Sequence, residues 1–327
     1  MKLLASISRI AAALIIIIGL LWVSLARPDF SAKEASKIPT QKIDPVALEK
    51  HTLMLSHNMV PRDFRHPENL NKVANYIAEF FRSSGARVVE QVFKVHGVEY
   101  KNVVAEYGPQ SKEVIVVGAH YDVEGEKPGA DDNASGVAGL LEIGKSLAEE
   151  QLKTKIILVA FTLEEPPFFR TDNMGSAVYA KSLAETGSAV KLMIALEMIG
   201  YFTEEKGSQD YPTPLLHLFY PSIGNFIAIV DQMLSTEAQR MKASMAQVIG
   251  LPVYSINAPS FIPGVDFSDH SNFWRYGYPA VMVTDTAFYR NLAYHTENDR
   301  AEHLNYEKMA KVVYGIFNYV LKLSNET

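Results

Sequence analysis

Four uninterrupted apolar runs constrain this chain more than any other feature: EVIVVGA (113–119), KIILVAFT (155–162), KLMIALEMI (191–199) and PAVMVTD (279–285). Runs this continuous belong to strands covered on both faces, the usual state of strands in a parallel sheet wrapped by helices. Helical patterns fall between them. SGVAGLLEIGKSLAEE (135–150) follows the first run and SAVYAKSLAE (176–185) the second. NFIAIVDQML (225–234) reads as a further helix and residues 306–323 as a last one. Upstream, NLNKVANYIAEFFRSSG spaces Leu70, Val73, Ile77, Phe80 and Phe81 as on one helix face and ends at Gly85. RVVEQVFKV and NVVAEY read as short strands. The predicted architecture is a single three-layer α/β domain: a mixed, mostly parallel sheet flanked by helices on both faces. Residues 201–264 are less regular and read as a lid.

In such sheets functional groups gather at the carboxyl ends of the strands. His120 and Asp122 follow the first run and Glu164-Glu165 the second. Glu197 lies near the end of the third, and the segment after the fourth carries His295 and Asp299. The loop GADDNASG (129–136) adds Asp131 and Asp132. Each feature alone has an ordinary explanation: a solvated loop, an exposed turn, a helix cap. Taken together, two imidazoles and several carboxylates at strand ends match what a pair of divalent cations needs. Oxygen and imidazole donors without sulfur suit zinc, or manganese or cobalt. The chain has no cysteine, which excludes disulfides and thiolate sites. A net charge of −6 without a basic stripe argues against nucleic acid as a partner.

The N-terminus is different. Lys2 and Arg9 precede an uncharged apolar run from Ile10 to Ala26. The run is short of the roughly 20 residues that span a bilayer and long for a signal-peptide core of about 7–15. Residues 1–27 are expected to be a signal anchor or a signal peptide, 28–44 a tether, and 45–327 one catalytic domain. An anchor would make the membrane a partner and hold the domain outside the cytoplasm, in the periplasm or beyond the cell. A cleaved segment would leave it secreted.

The motifs HYD, GADDNASG, LEE, LEM, SDH and HTEND occur in that order. In this they resemble the dizinc metallo-aminopeptidases typified by secreted bacterial leucyl aminopeptidases, a zinc exopeptidase family with related carboxypeptidases and glutaminyl cyclases. The resemblance implies a peptide substrate, cleaved at its N-terminal residue, and two zinc ions per chain. It assigns His120, Asp132 and Glu197 to one ion and Asp132, Glu165 and His295 to the other, with Asp132 bridging. Glu164 would be the general base. Asp122 would hydrogen-bond the His120 imidazole, and Asp299 would do the same for His295 or cap a loop. Gly129 and Gly136 would let the backbone turn tightly around the site. Three departures stand out. Glu197 replaces the aspartate of the best-known members. PPFFRTDNMGS, after Glu165, is longer than usual. Val265 and Asp266 occupy the place where several relatives carry an oxyanion-stabilising tyrosine, and His270 is a candidate for substrate contact. Other readings are a glutaminyl-peptide cyclotransferase with one zinc, a binding protein that lost the chemistry, and a carboxypeptidase. The last needs a basic residue for the substrate carboxylate, with Arg170, Arg275 and Arg290 as candidates.

Overall fold

The computed structural model describes residues 43–326, together with Arg9, residues 11–17, 19, 20 and 23. Eight strands form one sheet: β1 (Arg87–Val95), β2 (Val98–Tyr107), β3 (Glu113–His120), β4 (Lys155–Phe161), β5 (Ala189–Glu197), β6 (Ile227–Gln232), β7 (Val253–Ala258) and β8 (Ala280–Thr284). Their order is β1-β2-β4-β3-β5-β8-β6-β7. The central β4, β3, β5 and β8 are mutually parallel, and these are the four apolar runs. The β1–β2 hairpin adds antiparallel to β4, and β6 adds antiparallel to β8 and parallel to β7.

The continuous apolarity of the central strands follows from their position. On β3, Ile115 and Val117 point into the larger core with α1 (Pro45–Leu53), α2 (Pro67–Ser83), α3 (Gly136–Leu147), α5 (Glu237–Met245) and α7 (Tyr306–Asn325). Val114 and Val116 point the other way, into a second core with α4 (Gly175–Glu185) and α6 (His270–Arg275). Alternate residues thus need to be apolar on both faces. In α2, Pro67 occupies the first turn, where its missing N–H costs nothing, and Leu70, Val73, Ala74, Ile77, Ala78 and Phe81 form the buried stripe.

Two expectations are corrected. NFIAIVDQML is not a helix: its residues 227–232 are β6. The apolar run is too short to carry a helical period, and its β-branched residues suit a strand whose Ile227 and Ile229 face α5 while Ala228 and Val230 face the opposite side. The segment 201–264 is accordingly part of the sheet, supplying β6, α5 and β7, and only its loops overhang the site. The second correction concerns the N-terminus. Among the described residues no helix is long and apolar enough to cross a membrane, so the expected transmembrane anchor and membrane partner are withdrawn. The run from Ile10 to Ala26 falls short of the roughly 20 residues a span requires. The possible cleavage site at residues 24–26 and the tether up to residue 42 lie outside the described residues.

Candidate metal centre

The carboxyl ends of β3, β4, β5 and β8 converge, and each delivers one or two side chains. His120 is the last residue of β3 and Glu197 the last of β5. Glu164 and Glu165 follow β4, and His295 lies in the loop after β8. Asp132 sits among them on the 121–135 loop. Its Oδ1 is 3.3 Å from His120 Nε2, and its Oδ2 is 3.0 Å from His295 Nε2. Around these two contacts lie two triads. His120 Nε2 is 3.4 Å from Glu197 Oε2, and His295 Nε2 is 3.2 Å from Glu165 Oε2. One carboxylate thus faces both halves of the site.

The turns that bring the candidate ligands together use strained backbone. Leu163, Met198, Thr286 and His295 all have positive φ. Non-glycine residues rarely adopt that conformation, and it persists only where surrounding contacts fix it. Gly129, with φ of 56°, is a further case. A Cβ there would lie 2.3 Å from the Asp132 carbonyl oxygen and 2.8 Å from an Arg62 nitrogen, so only glycine fits. Gly136 has ordinary helical φ. Its constraint is close approach, since a Cβ would come within 2.7 Å of the Leu196 carbonyl oxygen.

Neighbouring groups hold the candidate ligands without joining them. The Asp122 carboxylate is 3.7 Å from His120 Nδ1, beyond hydrogen-bond reach. It instead accepts the backbone N–H groups of Glu164 and Glu165, each at 3.1 Å, fixing that pair. Asp299 takes the capping role: it accepts the N–H groups of Asp131 at 2.9 Å and Asp132 at 3.0 Å. Ser268 Oγ donates to Glu197 Oε2 at 2.7 Å. Asn133, after a cis Asp132–Asn133 peptide, donates to Leu196 O and accepts from Met198 N, tying the loop to the end of β5.

Arg62 is not foreseen from the sequence. It is fully buried and donates to the carbonyls of Leu55, Tyr121, Pro128 and Gly129, clamping both ends of the acidic loop. Burial pushes its guanidinium down to about 10, and Asp299, Asp132 and Asp122 act against that, so the group stays charged at neutral pH. Its neighbours in sequence give no motif, which is why only the fold reveals it. His270, a candidate for substrate contact, is buried, within hydrogen-bond distance of Val265 O (2.8 Å) and edge-on to Trp274. Asp266 pairs with Arg170.

The electrostatics of the cluster are those of a site built around added positive charge. Burial pushes the Glu164 carboxyl well up, and Glu165, Glu197 and Asp269 reinforce the shift against His120. Burial and Asp132 raise Glu165 to about 8. Burial alone would lower His120, yet Glu197 and Glu164 hold it well above its usual value. For His295 burial is likewise outweighed, by Asp132 and Glu165, and it rises to about 10. Meanwhile His120 Nε2, His295 Nε2, Glu164 Oε1 and Glu165 Oε1 are buried without hydrogen-bond partners. Buried polar atoms are rarely left unsatisfied unless something else completes them. Imidazole nitrogens and carboxylate oxygens left open in this way fit a divalent metal of the zinc type.

Beside Glu197 a cavity of about 530 Å³ opens over β8, β6 and β7. Tyr294 lines it and stacks on His295, ring centroids 3.7 Å apart.

Comparison with known proteins agrees with this geometry. The chain is 52% identical to the Escherichia coli K12 protein YfbL over 281 residues, covering 83% of this chain and 86% of that one. It is 26% identical to a probable leucine aminopeptidase of Arthroderma otae, covering 79% and 67%. In fold it is similar to a zinc aminopeptidase of Bacillus subtilis (TM-score 0.69, 15% identity, 87% and 96% covered). It is similar also to a glutaminyl cyclase of Bacteroides thetaiotaomicron (TM-score 0.63, 18% identity, 89% and 100% covered). The description of Peptidase family M28 matches residues 102–320, two thirds of the sequence and every candidate ligand, and the chain belongs to that family.

Proposed function

We propose that this peptidase is a zinc aminopeptidase that removes the first residue of peptides with a free amino terminus. The observation that carries the reading is Asp132, with one oxygen 3.3 Å from the His120 nitrogen and the other 3.0 Å from that of His295. A carboxylate placed that way suits two ions, one held by His120, Asp132 and Glu197, the other by Asp132, Glu165 and His295. Bound zinc supplies a water of lowered pKa and a positive charge that polarises the scissile carbonyl.

Glu164 is the general base. Asp122 fixes its backbone, one of its oxygens has no partner, and burial followed by the neighbouring carboxylates raises its pKa well above the usual carboxylate value, as suits a group that accepts a proton. It takes the proton of the attacking water and delivers it to the leaving amine. With Asp266 tied to Arg170, the phenol of Tyr294 is the donor we assign to the carbonyl oxygen. Burial, then Asp132 and Glu165, keep that phenol protonated.

Charge supports the amino-terminal direction. Arg170 is paired with Asp266, and Arg275 with Asp172. Arg290 is buried and bonded to Gln209, Tyr201 O and Phe226 O. All three candidates for a substrate carboxylate are engaged elsewhere, so none of these arginines is left to receive the carboxyl end of a substrate. The positive-then-apolar start of the chain supports action outside the cytoplasm. The test is a panel of free-amine and N-blocked peptides with Glu164→Gln as control. Cleavage of free-amine peptides only, lost about 10²–10⁴-fold in the variant at unchanged metal content, is the expected result. Cyclisation of N-terminal glutamine without peptide cleavage would overturn it in favour of the cyclase reading.

A further inference from the structure

The floor of the cavity beside Glu197 includes several small side chains. Ala228 and Val230 of β6, Ala258 of β7 and Thr284 of β8 face it, beside Ile256 of β7 and Met282 of β8. A space of about 530 Å³ is far beyond a packing void, since interiors leave few gaps larger than a water molecule. Its walls are aromatic. At the inner end Tyr254 meets Phe226 and Tyr220 edge-on, at ring distances of 5.1 and 5.8 Å. At the outer end Phe288 touches Phe267, Tyr289 and Tyr294. Two of the polar tips are turned away from it. Tyr220 donates to Ser255 O and Tyr289 to Pro263 O, so these two residues present rings to the space. Glu197 and Asp210 are the only charged residues along it among the described residues.

We infer that this cavity selects peptides whose first residue is aromatic over those beginning with leucine or alanine. The inference rests on the aminopeptidase reading and deepens it. An aliphatic side chain leaves more of the ring faces in contact with water, and that apolar area contributes no burial free energy. An aromatic ring fills more of the space and finds edge and offset partners at both ends. Discrimination by apolar filling is worth about 10–200-fold per methylene-scale difference, which sets the expected size of the effect.

The experiment measures kcat/KM of the zinc-loaded enzyme for one peptide series beginning with Trp, Phe, Leu or Ala. It is repeated in Ala228→Phe, which places a ring in the cavity floor. The aromatic peptides are expected to exceed leucine by about tenfold and alanine by about a hundredfold. Ala228→Phe should remove most of that advantage while the alanine peptide is still cleaved. Calorimetric binding of 2-phenylethylamine against 3-methylbutylamine to the wild-type chain gives the same comparison without turnover and without a variant that could misfold. Leucine or alanine peptides cleaved as fast as aromatic ones, or equal affinity for the two amines, would overturn the inference. If no peptide is cleaved, the aminopeptidase reading fails by itself, and the two amines alone decide what the cavity prefers.

Discussion

Replacing Arg62 with methionine tests how the acidic loop is held. The guanidinium donates to four carbonyls, at 3.0 Å to Tyr121 O and Leu55 O, 2.6 Å to Pro128 O, and to Gly129 O. Methionine keeps most of the stem volume and none of the donors. A hydrogen bond from a charged donor is worth about 1.5–3 kcal/mol, and an orphaned buried acceptor costs about 1–3 kcal/mol. Four such bonds are not independent, and the loop relaxes to let water reach some of the carbonyls. The cost is therefore set near that of breaking a buried charged pair, about 4 kcal/mol. For a chain of this size that lowers Tm by roughly 8 °C. Urea unfolding and thermal scans of the zinc-loaded protein measure it, alongside Arg62→Lys. Lysine restores the charge and at most part of the four-carbonyl fork, so it should recover less than half of the loss. A loss below about 1 kcal/mol for Arg62→Met, or full recovery by lysine, would refute the clamp.

Other outcomes rest on the same geometry. Asp122→Asn weakens the grip on the Glu164 and Glu165 backbones and should lower metal affinity or activity about 10–100-fold, read by zinc competition and kcat. Burial lowers the His270 imidazole to about 4, partly offset by the Val265 carbonyl, so protonation favours the unfolded chain. Its contribution is complete above pH 6.5 and lost as pH falls toward 4, amounting to roughly 3 kcal/mol. A His270→Gln variant should show a shallower loss of stability over that window in urea melts at successive pH values.

The candidate site is legible in the sequence because parallel strands present their carboxyl ends on one edge, and a candidate ligand stands at or after the end of each apolar run. His120 and Glu197 can therefore be found at the ends of their strands, Glu164 and Glu165 just beyond β4, and His295 in the loop after β8. The partners of those residues cannot. Arg62 is separated by 67 residues from Gly129 O, and a lone arginine in a turn carries no pattern. Asp122 lies two residues from His120, and that proximity suggests an imidazole partner. The fold instead turns its carboxylate toward the N–H groups 42 and 43 residues away. β6 resembles a helix in sequence for a different reason. A short run ending at Asp231 lacks the length that separates strand from helix, and its identity is set by pairing with β7 and β8. The floor of the cavity likewise depends on which faces Ala228 and Thr284 occupy, and that register exists only in the assembled sheet.

The central claim is that Asp132 serves two ions at once, and anomalous diffraction at the zinc edge on crystals of the zinc-loaded chain tests it directly. The account predicts two peaks about 3.5–4 Å apart, one beside His120 and Glu197, the other beside Glu165 and His295, with the Asp132 carboxylate between them. A single peak with Asp132 bound through one side only would contradict it.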